Sequence, residues 1–251
     1  MKLKTQRKGW ESLARVDPMW AILAVDDKRG QKWSRGEFFE NGRAEIQSLM
    51  THLTVLGASL KRNSALDFGC GIGRLTQALT EHFENCVGVD ISLEMISLAN
   101  GCNRFPDRCH YVLNETSDLQ QFSDDSFDFV YSNIVLQHIT PAVSTNYIRG
   151  FVRILRPGGV LVFQIPHHIP WTRRIQWRRR LFLILQALGV DERHLIERLG
   201  LNPMRMAYIP QQKVEWLLRS ADANVVEVKA WSDLDIESRR YIATKNPTPK
   251  Q

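Results

Sequence analysis

The sequence predicts an α/β fold: a three-layer sandwich with helices on both faces of a largely parallel sheet. Three features carry that expectation. Short apolar runs alternate with helix-length stretches from residue 64 to residue 166. The runs are apolar almost throughout, as parallel strands buried on both faces are. A glycine-rich turn, "DFGCGIG" at 67–73, follows the first run and leads into a helical pattern.

Residues 1–57 read as helical. The break is "VDPMW", where Asp17-Pro18 starts a new helix because the fixed φ of proline suits a first helical turn. From Arg35 to Leu56 the apolar residues, among them Phe38, Phe39, Ile46, Leu49 and Leu53, keep a helical period. "SALDF" (64–68) is a strand and "RLTQALTEHF" (74–83) a helix. "CVGVD" (86–90) is a strand, and "SLEMISLAN" (92–100) a helix with Ser92 as N-cap. "HYVL" (110–113) and "FDFVYS" (127–132) are strands. "PAVSTNYIRGFVRIL" (141–155) is a helix that opens on proline, "RPGG" a turn, and "VLVFQIP" (160–166) a strand. Helices interrupt the alternation over 167–220, and "NVVEVKAW" (224–231) and "RRYIATK" (239–245) close it as strands. One domain is expected: a helical extension (1–60), a core (61–166), a helical insertion or lid (167–220), closing strands (221–245) and a disordered tail (246–251).

The chain has 251 residues, 43% hydrophobic and 24% charged, enough for one sizeable core. The basic start has no apolar stretch behind it, so no secretory signal is read. No apolar run approaches the ~20 residues of a spanning helix. Cys70, Cys86, Cys102 and Cys109 form no CxxC pair and read as reduced thiols, so the cytoplasm is the expected compartment. The net charge of +6 is compatible with an acidic partner but does not by itself indicate nucleic acid.

The glycine turn raises the question of its ligand. A dinucleotide site uses GxGxxG, with the pyrophosphate on the helix N-terminus. Here Gly69, Gly71 and Gly73 give GxGxG, and Asp67 stands two residues before the first glycine. A carboxylate there repels a pyrophosphate and attracts a cation. S-adenosylmethionine fits: it has no phosphate, its amino-acid end carries an ammonium, and its sulfur is a sulfonium. A second acid, Asp90 in "GVDIS", ends the next strand, where it can accept from ribose hydroxyls.

With "LDFGCGIGRLT", "GVDIS", "YVLNETSDLQQF", "SFDFVYSNIVLQHI" and "RILRPGGVLVFQIP", the stretch from Ser64 to Pro166 resembles the type 11-like domain of class I, Rossmann-like S-adenosylmethionine-dependent methyltransferases. The resemblance implies seven strands in the order 3-2-1-4-5-7-6, the seventh antiparallel, with the cofactor at the ends of the first and fourth. It implies that Asp67 and the loop through Phe68, Gly69, Cys70, Gly71 and Gly73 to Arg74 hold the methionine part. Asp90 would hold the ribose, and Ile91 would pack on the adenine. Asn114-Glu115 stand where the family has Gly-Asp, with Glu115 offering the adenine amino group an acceptor. Ser132 and Asn133 would line the transfer side.

Methyl transfer is an in-line displacement that positioning alone accelerates, and a base helps where the acceptor must lose a proton. Three histidines are candidates. His138 lies just past the fourth strand, where the competing role is local packing. His167 and His168 follow the fifth strand, where the competing role is an exposed loop pair. No metal is expected, since His167 and His168 lack further ligands at readable spacing. Arg43 either reaches the cofactor's carboxylate or is solvated.

"WTRRIQWRRRLFLILQAL" (171–188) sets five arginines around Trp171 and Trp177 before an apolar run. A lid with solvated arginines, a site for an anionic acceptor, and a membrane-surface helix compete for it, the last disfavoured because apolar residues fall on all sides. The [ND]PP[YF] pattern of base-amino DNA methyltransferases is absent after the fourth strand, where "SNIV" stands. The expected function is methyl transfer from S-adenosylmethionine, leaving S-adenosylhomocysteine, to an O or N atom of a small molecule or biosynthetic intermediate. The alternatives are a tRNA or rRNA methyltransferase using the basic segment, and a cofactor-binding partner protein without turnover.

Overall fold

A computed structural model describes residues 2–201, 203–233 and 236–247. Helices α1 (Lys2–Val16), α2 (Pro18–Ile22) and α3 (Arg35–Val55) precede the sheet. Then follow β1 (Ser64–Phe68), α4 (Arg74–Leu79), β2 (Asn85–Asp90), α5 (Leu93–Cys102), β3 (Cys109–Leu113), β4 (Phe127–Ser132), α6 (Pro141–Ile154) and β5 (Leu155–His168). Short α7 (Trp171–Arg174), α8 (Trp177–Ala187) and a π turn (His194–Arg198) lead to α9 (Gln211–Ser220), β6 (Ala223–Asp233) and β7 (Ile236–Lys245). The seven strands lie in the order β3-β2-β1-β4-β5-β7-β6. β1 to β5 pair in parallel, and β7 runs antiparallel to both its neighbours. This is the expected order.

Both faces of the central strands are buried. Leu66, Val130, Leu161 and Phe163 point towards α6 and α9, packing with Ile148, Phe151, Val214 and Leu218. Their sequence neighbours Ala65, Phe129, Tyr131 and Val162 meet Ile46, Leu49, Leu75 and Leu79 of α3 and α4 on the other face. The third cluster contains no strand residue. It joins Leu13 and Val16 of α1, Trp20 of α2 and Phe38 of α3 to Phe182 of α8 and Leu195. The N-terminal extension and the insertion are thus packed into one helical cap.

Local chemistry explains the cap's turns. Asp17 is 3% exposed, and Pro18 sits at the first helical position of α2. The Asp17 carboxylate accepts from Trp20 N at 3.3 Å, Gly30 N at 2.9 Å and Gln31 N at 2.7 Å. Ser34 and Ser92 cap α3 and α5 by accepting from Glu37 N and Met95 N.

Three boundaries differ from expectation. α4 stops at Leu79, yet Phe83 still turns into the core. β5 begins before the expected turn: Leu155 pairs with Phe127 and Val160 with Phe129, so "RPGG" bulges out of one strand. Gly158, at φ 78°, makes that bulge, and Arg156 reaches back to the buried Asp128 carboxylate at 3.1 Å. Asn246 is not loose, since its amide donates to Asp222 Oδ1; residues 248–251 of the expected tail lie outside the described residues. Among the described residues no helix is long and apolar enough to cross a membrane.

Asp17→Ala removes a cap and two further charge-assisted bonds. It should cost about 3 kcal/mol in urea unfolding, and Asp17→Asn should recover part of that.

Candidate active site

The turn after β1 is pressed onto β2. Gly69 N and Cys70 N both donate to Val89 O, at 2.7 and 3.0 Å. Gly69 has φ 79° and Gly71 φ 53°, both left-handed. Added side chains have no room: a Cβ on Gly69 would stand 2.3 Å from Val135, and one on Gly71 2.4 Å from Ile22. The turn therefore has to be glycine on both counts.

Asp90 closes the loop from the other side. Its Oδ2 accepts from Gly71 N at 3.0 Å and its Oδ1 from Ser92 N at 2.9 Å. Burial pushes its pKa up against these bonds. Each oxygen keeps a lone pair for a further donor. Asp67 lies behind the turn, 2% exposed, accepting from Thr76 Oγ1 at 2.7 Å. Burial pushes its carboxyl up to about 7, opposed by the Thr76 bond and the charge of Arg74.

A cavity opens at the ends of β1, β2 and β4. Of the residues expected there, it is lined by Phe68, Gly69, Gly71, Asp90, Ile91, Asn114 and Asn133. The structure does not bring the others to it. Asp67 faces Thr76, and the Cys70 thiol faces Gly71 O. Gly73 caps α4 under Tyr111. Arg74 turns to Asn41 and Glu45. Ser132 Oγ donates to Phe68 O. Glu115 is half exposed and paired with Arg7 of α1. Asn114 is the ordered member of its pair: its amide donates to Asp118 O and Tyr147 Oη, fixing the turn after β3.

Sequence reasoning missed the roof and a hinge of polar contacts. Leu3, Gln6 and Trp10 of α1 and Ile22 of α2 cover the cavity. The free volume beneath them is about 70 Å3. These four side chains make the cavity narrow where α1 and α2 cross its mouth. Glu45 of α3 was also missed. It accepts from Tyr131 Oη and Asn133 Nδ2, both at 2.7 Å, and from Arg74 at 2.9 Å. Asn133 Oδ1 is left buried without a partner. No local sequence signal marks Glu45, which looks like any exposed position of a long helix.

The histidines separate. His138 packs edge-on against Trp10, ring centroids 5.4 Å apart. Its Nδ1 lies 2.9 Å from Arg205 O, which can only accept, so Nδ1 carries the proton. Its Nε2 takes a bond from the Gln137 amide at 3.3 Å, and burial lowers its pKa. His138 lines a second pocket beside the cavity. His167 meets Glu237 at 2.8 Å and His168 the edge of Tyr208, and neither lines the cavity or that pocket. Arg43 pairs with Glu81 and Glu40 at the surface, away from the cavity. No cluster of three His, Cys, Asp or Glu able to hold a metal occurs among the described residues.

α8 is not apolar all round in the way its sequence suggested. Phe182 is buried against α1, while Trp177, Leu181, Ile184 and Leu188 form one exposed stripe. Trp171 and Ile175 are exposed just before it.

Residues 66–163 match the model of a methyltransferase domain, and they carry the turn, Asp90 and Asn133. That stretch of the chain is similar to a methyltransferase domain. The chain is 36% identical to a trans-aconitate 2-methyltransferase of Deinococcus radiodurans, over 40% of this chain and 37% of that protein. It is 29% identical to a ubiquinone biosynthesis O-methyltransferase of Coxiella burnetii, over 42% and 44%. These matches span less than half the length of either relative. The fold is similar to magnesium protoporphyrin IX methyltransferase from Synechocystis PCC 6803 crystallised with S-adenosylhomocysteine. The TM-score is 0.64 at 18% identity, covering 98% of this chain and 100% of that one.

The Asp67 shift gives the protein a pH signature. Between 3.8 and about 7 the folded state keeps a proton that the unfolded chain has released. This group therefore lowers stability as pH rises through that window. Asp67→Asn keeps the acceptor for Thr76 and removes the titration. Thermal unfolding across the window should be flatter in the variant, and at pH 8 the variant should be at least as stable as wild type.

Proposed function

We propose that the protein transfers a methyl group from S-adenosylmethionine to an O or N atom of a small molecule or biosynthetic intermediate. One observation carries this reading. Two acids, Asp67 and Asp90, stand behind and beside a glycine turn that brings bare backbone against the cavity, with pKa values raised by burial. That setting disfavours a pyrophosphate and favours a ligand with a cationic end and a ribose. The residues present fit such a cofactor. Asp90 would take the ribose hydroxyls, Ile91 and Met95 the adenine, and the glycine turn with the unpartnered Asn133 Oδ1 the ammonium end. Bound there, the cofactor supplies an activated methyl on its sulfonium.

The chain's own part is positioning and exclusion of water. α1 closes the cavity, and Glu45 fixes Asn133. His138 is the histidine placed to move a proton, once an acceptor hydroxyl or amine replaces Gln137 at Nε2. The 1–60 extension and the 167–220 insertion wall the acceptor side of one domain. The cytoplasm belongs to the same proposal, supported by four cysteines that stand as free thiols.

A specific observation favours peripheral contact with an anionic lipid surface as well. The exposed stripe of Trp177, Leu181, Ile184 and Leu188 is flanked by the exposed Arg174, Arg178 and Arg180. Interfacial helices combine these features.

In a thermal-shift assay S-adenosylmethionine and S-adenosylhomocysteine should stabilise the protein and NAD should not. Asp90→Ala should abolish the response; undiminished binding would remove Asp90 from the ribose. Tritiated-methyl transfer into metabolite and RNA extracts then separates a small-molecule enzyme, an RNA enzyme and a protein without turnover. For the lipid contact, wild type should cosediment with phosphatidylglycerol vesicles, less so at high salt. Ile184→Ser with Leu188→Ser should lose most of that binding while keeping the response to S-adenosylhomocysteine.

A further inference from the structure

A second pocket, of about 160 Å3, adjoins the cofactor cavity and is lined by Gln6, His138, Thr140, Arg179 and Arg205 together with Thr5, Pro203 and Met204. Gln6 lines both spaces, and the edge contact of Trp10 with His138 forms the partition between them. Among the described residues, no carboxylate lines the second pocket.

Its two arginines are held in place without acidic partners. Arg179 Nε donates to Pro203 O at 3.0 Å, which fixes the plane of the guanidinium and leaves its outer N–H groups. The backbone of Arg205 is anchored by its carbonyl to His138 Nδ1 at 2.9 Å. No ion pair to either arginine occurs among the described residues. Glu11, Glu94 and Glu192 line the cleft on the other side of Arg179, none of them forming an ion pair with it, and two are engaged elsewhere. Glu11 takes the N–H groups of Leu93 and Glu94, and Glu192 takes Ser12 and Gln186. Burial and the charge of Arg205 both lower the pKa of Arg179, as expected of like charges brought together.

A third element points at the same space. Thr140 is the N-cap of α6, a helix of 14 residues, and its hydroxyl makes no cap bond. The helix start adds partial positive charge, and the hydroxyl adds a donor. Two uncompensated guanidinium groups, a free hydroxyl and a helix start, converging in a pocket of this size, are the donor set of a carboxylate or phosphate site.

We propose that this pocket binds the anionic group of the methyl acceptor, a carboxylate or a phosphate, and directs the acceptor's nucleophilic atom past Gln6 towards the cofactor cavity. The inference rests on the methyltransferase reading above and narrows it to an anionic small molecule. The bond from His138 Nδ1 to the Arg205 carbonyl holds that stretch of backbone at the pocket and leaves Nε2 for the proton.

The test uses the full chain saturated with S-adenosylhomocysteine, at constant ionic strength. Inorganic phosphate and citrate serve as probes, and thermal shift and calorimetry as readouts. One or both probes should bind, the stronger naming the group. Arg179→Gln and Arg205→Gln should each weaken that binding by about tenfold or more. Arg193→Gln, at an exposed position that lines neither space, should leave it unchanged. All three variants should keep the wild-type response to S-adenosylhomocysteine, which reports an intact fold. Equal anion binding in wild type and in the Arg179 and Arg205 variants overturns the inference. So does absence of any anion response in a protein that S-adenosylhomocysteine stabilises. Failure of S-adenosylhomocysteine itself to stabilise wild type would instead sink the methyltransferase reading. In the tritiated-methyl screen, labelled product should be retained on an anion-exchange resin at a pH where carboxylates and phosphates are charged. A neutral labelled product also overturns the inference, including a methyl ester of the acceptor's only acid (recognised by mild alkaline release of labelled methanol), since that acid would have met the cofactor and not the pocket.

Discussion

The bond from Gly71 N to the Asp90 carboxylate holds the rest of the site in register. It ties the turn after β1 to the end of β2, while the second oxygen of Asp90 holds the start of α5 through Ser92 N. Val89 O adds two bonds to the same turn. Three backbone segments are thereby fixed around one carboxylate, and the glycines let Val135 and Ile22 close on them. The arrangement places a carboxylate where burial raises its pKa, an unfavourable contribution that a cationic ligand offsets.

Charge is sorted across the site. Asp67 lies behind the turn with Thr76 and the charge of Arg74, which Glu45 also shares. Asp90, held by backbone N–H groups and no cation, is the under-compensated acid at the cavity. Beyond the Trp10–His138 partition, Arg179 and Arg205 are under-compensated with the opposite sign. A cationic donor and an anionic acceptor each lower the energy of their own half. The partition keeps the two sets of charges from neutralising one another within the protein.

What was legible in the sequence followed from local rules. β1 and β4 are legible to the residue, because "SALDF" and "FDFVYS" are apolar runs closed by turns. Ser92 was legible as a cap and Asp90 as a strand-end acid, since both act on groups within two or three residues. What was not legible depends on contacts far apart in the chain. Asn133 is fixed by a residue 88 positions away, and Trp10 reaches His138 from the opposite end of the core. Asp67 read as a ligand contact because its place in the motif is plain. The side-chain direction, towards Thr76, is a matter of packing. The faces of α8 were equally hidden: the sequence shows apolar residues all round, and only the docking of Phe182 onto α1 decides which of them stay exposed.

α1 belongs to both halves of the site. Gln6 and Trp10 roof the cofactor cavity, and Gln6 also lines the basic pocket. The same helix is fastened to the core through Glu11, which takes the first N–H groups of α5, and to the insertion through the cluster that includes Phe182. α1 therefore couples the two spaces: Gln6 faces both, so any shift of the helix alters the cavity and the basic pocket together. On the proposed reading, the sheet would set the donor's place, and α1 with the insertion would decide what receives the methyl group.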